Sequence, residues 1–140
     1  MRQPITPHDA LIYTMVLASA ADRNMSDAKL RAIGEMVNHL PVFRGFDAER
    51  LPGISRSCAE HLSDRDGLER VLAEIERGLP KTLGETAYAL ACDVIATDGK
   101  ANQEALRLLE LLRDRLGIDG LAAAGIERGA RVRHATLGRS

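Results

Sequence analysis

Apolar residues recur every three or four positions along almost the whole chain, and no segment alternates apolar and polar residues convincingly. This spacing is typical of amphipathic α-helices. Aromatic residues make up only 3% of the chain and tryptophan is absent, so the core has to be built from aliphatic side chains. Because such side chains suit helices packed on helices, the sequence predicts an all-α fold.

Capping residues and helix breakers divide this pattern into about seven helices joined by short loops. Thr6 and Pro7 start the first helix, Ser26 starts the second, and Pro41 ends that second helix. The dipeptide at 52–53, Pro-Gly, falls early in the third helix, where it predicts a kink or a delayed start. The predicted helices span about residues 8–21, 26–40, 47–62, 68–78, 81–97, 102–117 and 119–133.

The length of 140 residues, without a linker or a low-complexity stretch, predicts a single compact domain over residues 1–140. Flexible tails are expected at about residues 1–6 and 134–140. No apolar run approaches the roughly 18 residues of a membrane span, although the sequence leaves peripheral membrane association open. Cys58 and Cys92 are far apart on apolar helical stripes. They are interpreted as buried thiols of a reducing compartment, which predicts a cytoplasmic protein.

Charge argues against nucleic acid as a partner. The net charge is −1 and the pI is near 6.4, so no overall positive field attracts phosphate backbones. The arginines near the C-terminus, which are Arg128, Arg131, Arg133 and Arg139, are interpreted as a solvated helix end followed by a frayed tail.

The segment "ATDGKANQE" (96–104) places Asp98 where the fifth helix should stop. A carboxylate there faces the negative end of the helix dipole, which is unfavourable. In helical phase, Asp98 lies roughly 40° from the centre of the apolar stripe of its helix. Asp22, at the end of the first helix, lies roughly 50° from the centre of its own stripe. Both side chains are therefore expected to face the core side, where a carboxylate needs a partner.

A weak internal repeat relates the two acidic turns. When Asp22 is laid on Asp98, Leu30 falls on Leu106, and each copy reads as an apolar helix, an acidic turn and an amphipathic helix. The sequence therefore predicts an internal pseudo-symmetry of the fold.

Two interpretations of the acidic turns follow. In the first, each aspartate accepts hydrogen bonds from its own turn, or pairs with an arginine, and has only a structural role. In the second, carboxylates from both turns hold a hard divalent cation, Ca²⁺ or Mg²⁺. The candidate ligands are Asp22, Asp98, Glu104, Asp27 and Asp93. The spacing fits neither an EF-hand nor a phosphate-binding loop.

The chain contains no H-E-x-x-H, G-x-S-x-G or C-x-x-C motif, and its histidines are scattered. No nucleophile and base stand at a spacing that would bring them together. The sequence therefore predicts that the protein is not an enzyme, and a metal-dependent hydrolase is the weakest hypothesis.

Two long segments, "YTMVLASAADRNMSDAKLRAIGEMV" (13–37) and "ETAYALACDVIATDGKANQEALRLLELLRDRLGID" (85–119), resemble the TerB-like family, which is named for tellurite resistance in bacteria. The family's acidic turn matches this chain at Asp98, Gly99 and Glu104. The first copy matches only at Asp22, because Arg23 and Ala28 stand where a glycine and a glutamate would be expected.

The resemblance implies an all-α, pseudo-symmetric domain that takes part in bacterial stress responses without catalysis and binds metal through acidic residues. The expected function is a non-enzymatic stress-response module that binds a divalent cation at its acidic turns and docks to partner proteins. The alternative is a purely structural protein-interaction domain whose acidic residues only cap turns. A homodimer is also compatible with the sequence.

Overall fold

The computed structural model describes residues 3–21, 25–98 and 102–138, and these residues form α-helices and three short 3₁₀ turns without a β-strand. The predicted all-α class is confirmed. The helices are α1 (Pro7–Ser19), α2 (Asp27–His39), α3 (Leu51–Leu62), α4 (Gly67–Gly78), α5 (Gly84–Ala96), α6 (Gln103–Arg115) and α7 (Gly120–Arg133). None of these helices is both long enough and apolar enough to cross a bilayer.

The helix starts follow the capping residues of the sequence. Thr6 caps α1 by accepting a hydrogen bond from the backbone N–H of Asp9, and Ser26 does the same for the N–H of Lys29. Asn102 caps α6, and Asp119 caps α7 through two backbone N–H groups. These bonds are local, so they can be recognised in the sequence before any tertiary contact is known.

Two helices begin later than predicted. Helix α3 starts at Leu51, because residues Ala48–Arg50 form a 3₁₀ turn and the following proline belongs in a first helical turn. This is the delayed start that the Pro-Gly pair suggested. Helix α5 starts at Gly84 rather than at residue 81, since a 3₁₀ turn over Lys81–Leu83 follows Pro80.

Helix α1 lies at the centre of the fold and packs against α5, α3 and α4. All of its residues from 10 to 19 are buried, including Ala10 and Leu17 on the side opposite the predicted apolar stripe. The stripe predicted for α1, which contains Leu11, Ile12, Met15, Val16 and Ser19, is therefore only part of its buried surface. A helix that is apolar all round belongs in the interior, and residues 10–19 contain no charged side chain.

The apolar face of α2 is rotated from its predicted position. Ile33 and Val37 are buried as expected, but Leu30 and Leu40 are 46% and 36% exposed. Lys29 is only 3% exposed and lies one turn before Ile33 on the buried face. The buried face thus includes an ammonium group that the apolar pattern had not identified.

An aromatic cluster holds the segment after α2 to the start of α1. Phe43 is buried, and its ring stacks on His8 with a centroid distance of 5.7 Å. Phe46 meets His8 edge-on, and the Nε2 atom of His8 lies 2.9 Å from the carbonyl oxygen of Val42. The two phenylalanines therefore anchor this segment to the first turn of α1.

The two halves of the internal repeat correspond in structure where both are described. Helices α1, α2, α5 and α6 each contain 13 residues. The repeat aligns Ser26 with Asn102, and both are N-caps that accept a bond from the N–H three residues on. It also aligns Leu30 with Leu106, and both are about half exposed, at 46% and 48%.

The predicted tails are only partly described. Ile5 packs against the core, and its backbone carbonyl lies so close to Gly78 that a Cβ atom there would be 2.6 Å from the oxygen. At the other end, His134 contacts Asp93. Residues 1–2 and 139–140 lie outside the described part of the chain.

Candidate functional site

The Asp98 carboxylate lies between the end of α5 and the start of α2. The hydroxyl of Ser26 donates a hydrogen bond to Oδ1 of Asp98 over 3.1 Å, and Nζ of Lys29 lies 3.5 Å from Oδ2. The Lys29 side chain is 4% exposed and that of Asp98 is 26% exposed. Among the described residues the carboxylate therefore has two partners, which are the N-cap of α2 and a side chain of its first turn.

This arrangement offsets the unfavourable interaction between the Asp98 carboxylate and the dipole of its own helix. Asp98 is two residues beyond the last residue of α5, where the helix dipole is unfavourable. It is also beside the N-terminus of α2, where the positive end of another dipole favours a carboxylate. Ser26 joins the two elements, because its hydroxyl oxygen caps α2 while its proton is donated to Asp98.

The other predicted ligands are distributed over several surfaces. Asp27 is exposed in the first turn of α2, directly after Ser26, and Glu104 is exposed in the first turn of α6. Asp93 lies on α5, where its Oδ1 is 2.8 Å from a guanidinium nitrogen of Arg133. Asp22 lies outside the described residues. Among the residues described, no three His, Cys, Asp or Glu side chains form a group suited to a metal.

Asp93 fastens the end of α7 to α5. Its Oδ1 is 3.3 Å from Nε2 of His134 in addition to the contact with Arg133. A second tie joins the same helices, because the Tyr88 hydroxyl donates a 2.5 Å hydrogen bond to Glu127. Both carboxylates are thus committed to contacts between α5 and α7.

Lys29 and Ser26 were missed as partners of Asp98, although the sequence contained a signal for one of them. Lys29 precedes Ile33 by four residues and Val37 by eight, so it belongs to the buried stripe. A lysine in such a stripe requires a carboxylate or other acceptor nearby. Which acceptor it finds depends on tertiary packing, which the sequence pattern does not contain.

A concave surface lies elsewhere, between α5, α6 and α7, and is referred to below as the α5–α6–α7 groove. Helices α6 and α7 both border it, and among the described residues they make few contacts with each other. The space amounts to about 840 Å³. Its apolar lining consists mainly of Tyr88, Cys92, Ile95, Leu106, Leu109 and Ala130.

Charged side chains border this groove on two sides. Arg113 comes from α6 and Arg131 from α7, and Glu110 and Glu127 also line the space. Burial raises the pKa of the Tyr88 hydroxyl, and the hydrogen bond to Glu127 raises it further. The positive charge of Arg113 lowers this pKa, which indicates that its guanidinium group lies near the Tyr88 hydroxyl.

A smaller cavity of about 620 Å³ contains Glu104. It lies between the ends of α1 and α3 and the outer part of α6, and its lining includes Leu17, Leu62, Leu68 and Arg107. Leu68 is 43% exposed there, although its spacing from Val71 and Leu72 predicts a place on the buried face of α4. Glu104 therefore lies beside Arg107 at a cavity mouth.

Both cysteines are free and buried, as predicted. Burial raises the pKa of the Cys58 thiol to about 12. Burial likewise raises the pKa of Cys92 to about 12, and the negative charges of Glu127 and Asp93 add to the effect. At neutral pH both thiols are therefore protonated, which makes them weak nucleophiles.

We expect the native protein to resist thiol reagents. At pH 8 a pKa of about 12 reduces the thiolate fraction roughly a thousandfold relative to an unperturbed cysteine. The reaction with an aromatic disulfide reagent should accordingly be at least that much slower in the native protein than in urea. Its rate should increase as the pH is raised. Rapid reaction of Cys92 at pH 8 would contradict the buried position at the floor of the groove.

Comparisons with known proteins returned no match. No family model matches the chain, and neither a curated protein nor a solved structure matches it. The resemblance to the TerB-like family therefore stays a prediction from the sequence.

Proposed function

We propose that this chain is a non-enzymatic binding module that takes its ligand in the α5–α6–α7 groove. The observation that carries the proposal is the groove itself, with its apolar floor and with guanidinium groups from two different helices at its edge. Sites of this kind, mostly apolar with a few polar groups, are where proteins bind ligands. By contrast, Asp98 is engaged within the fold by Ser26 and Lys29.

The chemistry of the groove favours binding over catalysis. Its two potential nucleophiles, Cys92 and Tyr88, have raised pKa values and stay protonated at neutral pH. Glu127 accepts the hydrogen bond of Tyr88. These groups hold α5 and α7 together at the floor, so the groove is proposed to hold a ligand without transforming it.

The cellular role belongs to the same proposal. The resemblance to the TerB-like family supports a stress-response role in bacteria, including tellurite resistance, and docking to partner proteins. Two buried free thiols fit a reducing compartment, so a cytoplasmic location is included.

A divalent cation at the Asp98 turn is a second candidate. It is favoured by the 26% exposure of the Asp98 side chain, but a bound cation would have to compete with the Lys29 ammonium and the Ser26 hydroxyl. Asp27 directly follows Ser26 and would supply a further carboxylate. Ca²⁺ or Mg²⁺ bound there would take the place of the ammonium group, since both occupy the same oxygens.

Site-directed photocrosslinking in bacterial cells tests the groove. A photoreactive benzoylphenylalanine at position 106 should form covalent adducts, because Leu106 lines the groove and is 48% exposed. The matched control is position 30, where the leucine related by the internal repeat is 46% exposed on α2. The adducts at position 106 should be identified by mass spectrometry and should persist after chelation of divalent cations.

The alternatives give different results in the same experiment. Equal adducts at positions 30 and 106 would contradict a binding surface at the groove. Adducts that disappear on chelation and return with Ca²⁺ or Mg²⁺ would favour the cation-dependent module. An adduct of twice the mass of the chain would identify a second copy as the partner.

A further inference from the structure

The floor of the α5–α6–α7 groove is apolar and closely packed. Tyr88, Cys92 and Ala130 all line it, and they are only 1%, 4% and 3% exposed. Leu106 also lines the groove and is 48% exposed, so it offers most of the accessible apolar surface. A ligand with a flexible hydrocarbon chain could lie along this floor against Leu106.

The edge of the groove adds a preference for charge. Arg50, Arg70, Arg115 and Arg133 all form ion pairs with carboxylates. No such ion pair involves Arg113 or Arg131 in the part of the chain that the structure describes, although both line the groove. A guanidinium presents a planar set of donors that matches a carboxylate.

The acidic groups of the groove do not remove this preference. Glu127 already accepts the hydrogen bond of Tyr88. Glu110 lies three residues before Arg113 on α6 and is exposed. Its charge is expected to weaken the binding of an anion without blocking direct contact with Arg131 on the opposite wall.

We propose that the α5–α6–α7 groove binds a long-chain carboxylate, with its apolar chain along the floor and its head group between Arg113 and Arg131. The proposal rests on the function proposed above and specifies the ligand of the same groove. The volume of about 840 Å³ is within the range of roughly 300–1,000 Å³ that small-molecule sites occupy. The hydrocarbon chain of the ligand would cover the exposed side chain of Leu106.

Fluorescence titration with cis-parinaric acid, an unsaturated long-chain carboxylate, tests this ligand class in the intact chain. We expect saturable binding and displacement by decanoate, dodecanoate and tetradecanoate, all below their micelle concentrations. Each added CH₂ should strengthen displacement by up to roughly fourfold, because each one buries more apolar surface. The methyl ester of parinaric acid should bind at least roughly tenfold more weakly, because it cannot form the charge-assisted hydrogen bonds.

Substitutions locate the site. Arg113→Gln and Arg131→Gln should each weaken binding by roughly tenfold, and Glu110→Gln should strengthen it. The matched controls are Arg107→Gln on α6 and Arg128→Gln on α7, neither of which lines this groove. Thermal melting of every variant separates loss of binding from loss of folding, and the ester comparison on the unaltered protein does not depend on any substitution.

Several results would overturn the proposal. They are absence of saturable binding, equal affinity for the acid and its ester, and equal effects of the groove and control arginine substitutions. If the protein is a homodimer that binds parinarate only after the substitution Leu106→Lys has dissociated it, the groove would be assigned to a second copy instead. If parinarate does not bind while position 106 still crosslinks specifically, the proposed ligand class is wrong and the proposed function remains supported. If neither parinarate binding nor specific crosslinking is observed, both the ligand class and the proposed function are wrong.

Discussion

Replacing Ala10 by lysine should unfold the protein, although Ala10 lies on the face of α1 that an amphipathic pattern would turn toward water. Ala10 is 0% exposed at the centre of the helical assembly. An ammonium there would be buried without a partner, which costs about 4 kcal/mol or more and approaches the whole stability of a small domain. Circular dichroism during urea titration would measure the loss directly.

The control for this change is Ala124→Lys on α7. Ala124 is exposed in the interior of a helix, so the same substitution should change the free energy of unfolding by no more than about 0.5 kcal/mol. A folded Ala10→Lys variant with an unchanged urea midpoint would show that this face of α1 is solvent-exposed. The central position of α1 would then be incorrect.

Replacing Lys29 by methionine should destabilise the protein by about 2–3 kcal/mol. Methionine keeps the unbranched apolar stem, but Asp98 loses the ammonium that lies 3.5 Å away. Removing one partner of a fully buried ion pair costs roughly 3–5 kcal/mol, and the 26% exposure of the Asp98 side chain reduces that value. Urea unfolding would measure the difference, with Lys81→Met as the control because Lys81 is exposed.

A double-mutant cycle isolates the contribution of this ion pair. Asp98→Asn removes the carboxylate charge while leaving an oxygen that accepts from Ser26. The double variant should be more stable than the sum of the single effects predicts, by about 1 kcal/mol or more, since the two side chains are in contact. Additive effects would mean that Lys29 is stabilised mainly by other contacts and that the tie between α5 and α2 is weak.

The parts of the fold that depend on local bonds could be predicted from the sequence. Thr6, Ser26, Asn102 and Asp119 cap their helices through backbone N–H groups two or three residues away. Such bonds need no other element of the structure. Gly117 likewise ends α6 with a φ of 66°, a conformation that glycine adopts readily.

The predictions that were incomplete or wrong concern features that depend on which helices pack against each other. The face of α1 predicted to be buried, which contains Leu11, Ile12, Met15, Val16 and Ser19, is buried, but so is the opposite face, because α3, α4 and α5 surround the helix. The absence of charge from residues 10–19 was a usable signal. Spacing alone placed Leu30 and Leu68 in the core, yet both are exposed. Leu30 lies at the edge of the buried face of α2, and Leu68 lies in the first turn of α4 beside a cavity.

The candidate site, too, could be predicted only in part. The sequence correctly required a partner for Asp98, because a carboxylate on the core side of a helix end is otherwise costly. It did not identify Lys29, which lies on α2, 69 residues before Asp98 in the sequence. The α5–α6–α7 groove could not be predicted either, because it results from the separation of α6 and α7 on the surface of α5.

The central position of α1 has a consequence for the order of folding. The ribosome makes α1 before α5, its main contact, and α2, α3 and α4 are made between them. During synthesis the apolar helix α1 therefore remains without its principal neighbour until α5 has been made. Contacts so distant in sequence slow folding, and exposed apolar segments promote aggregation of partly made chains. The step that limits productive folding is thus expected to be the closure of α5 over α1.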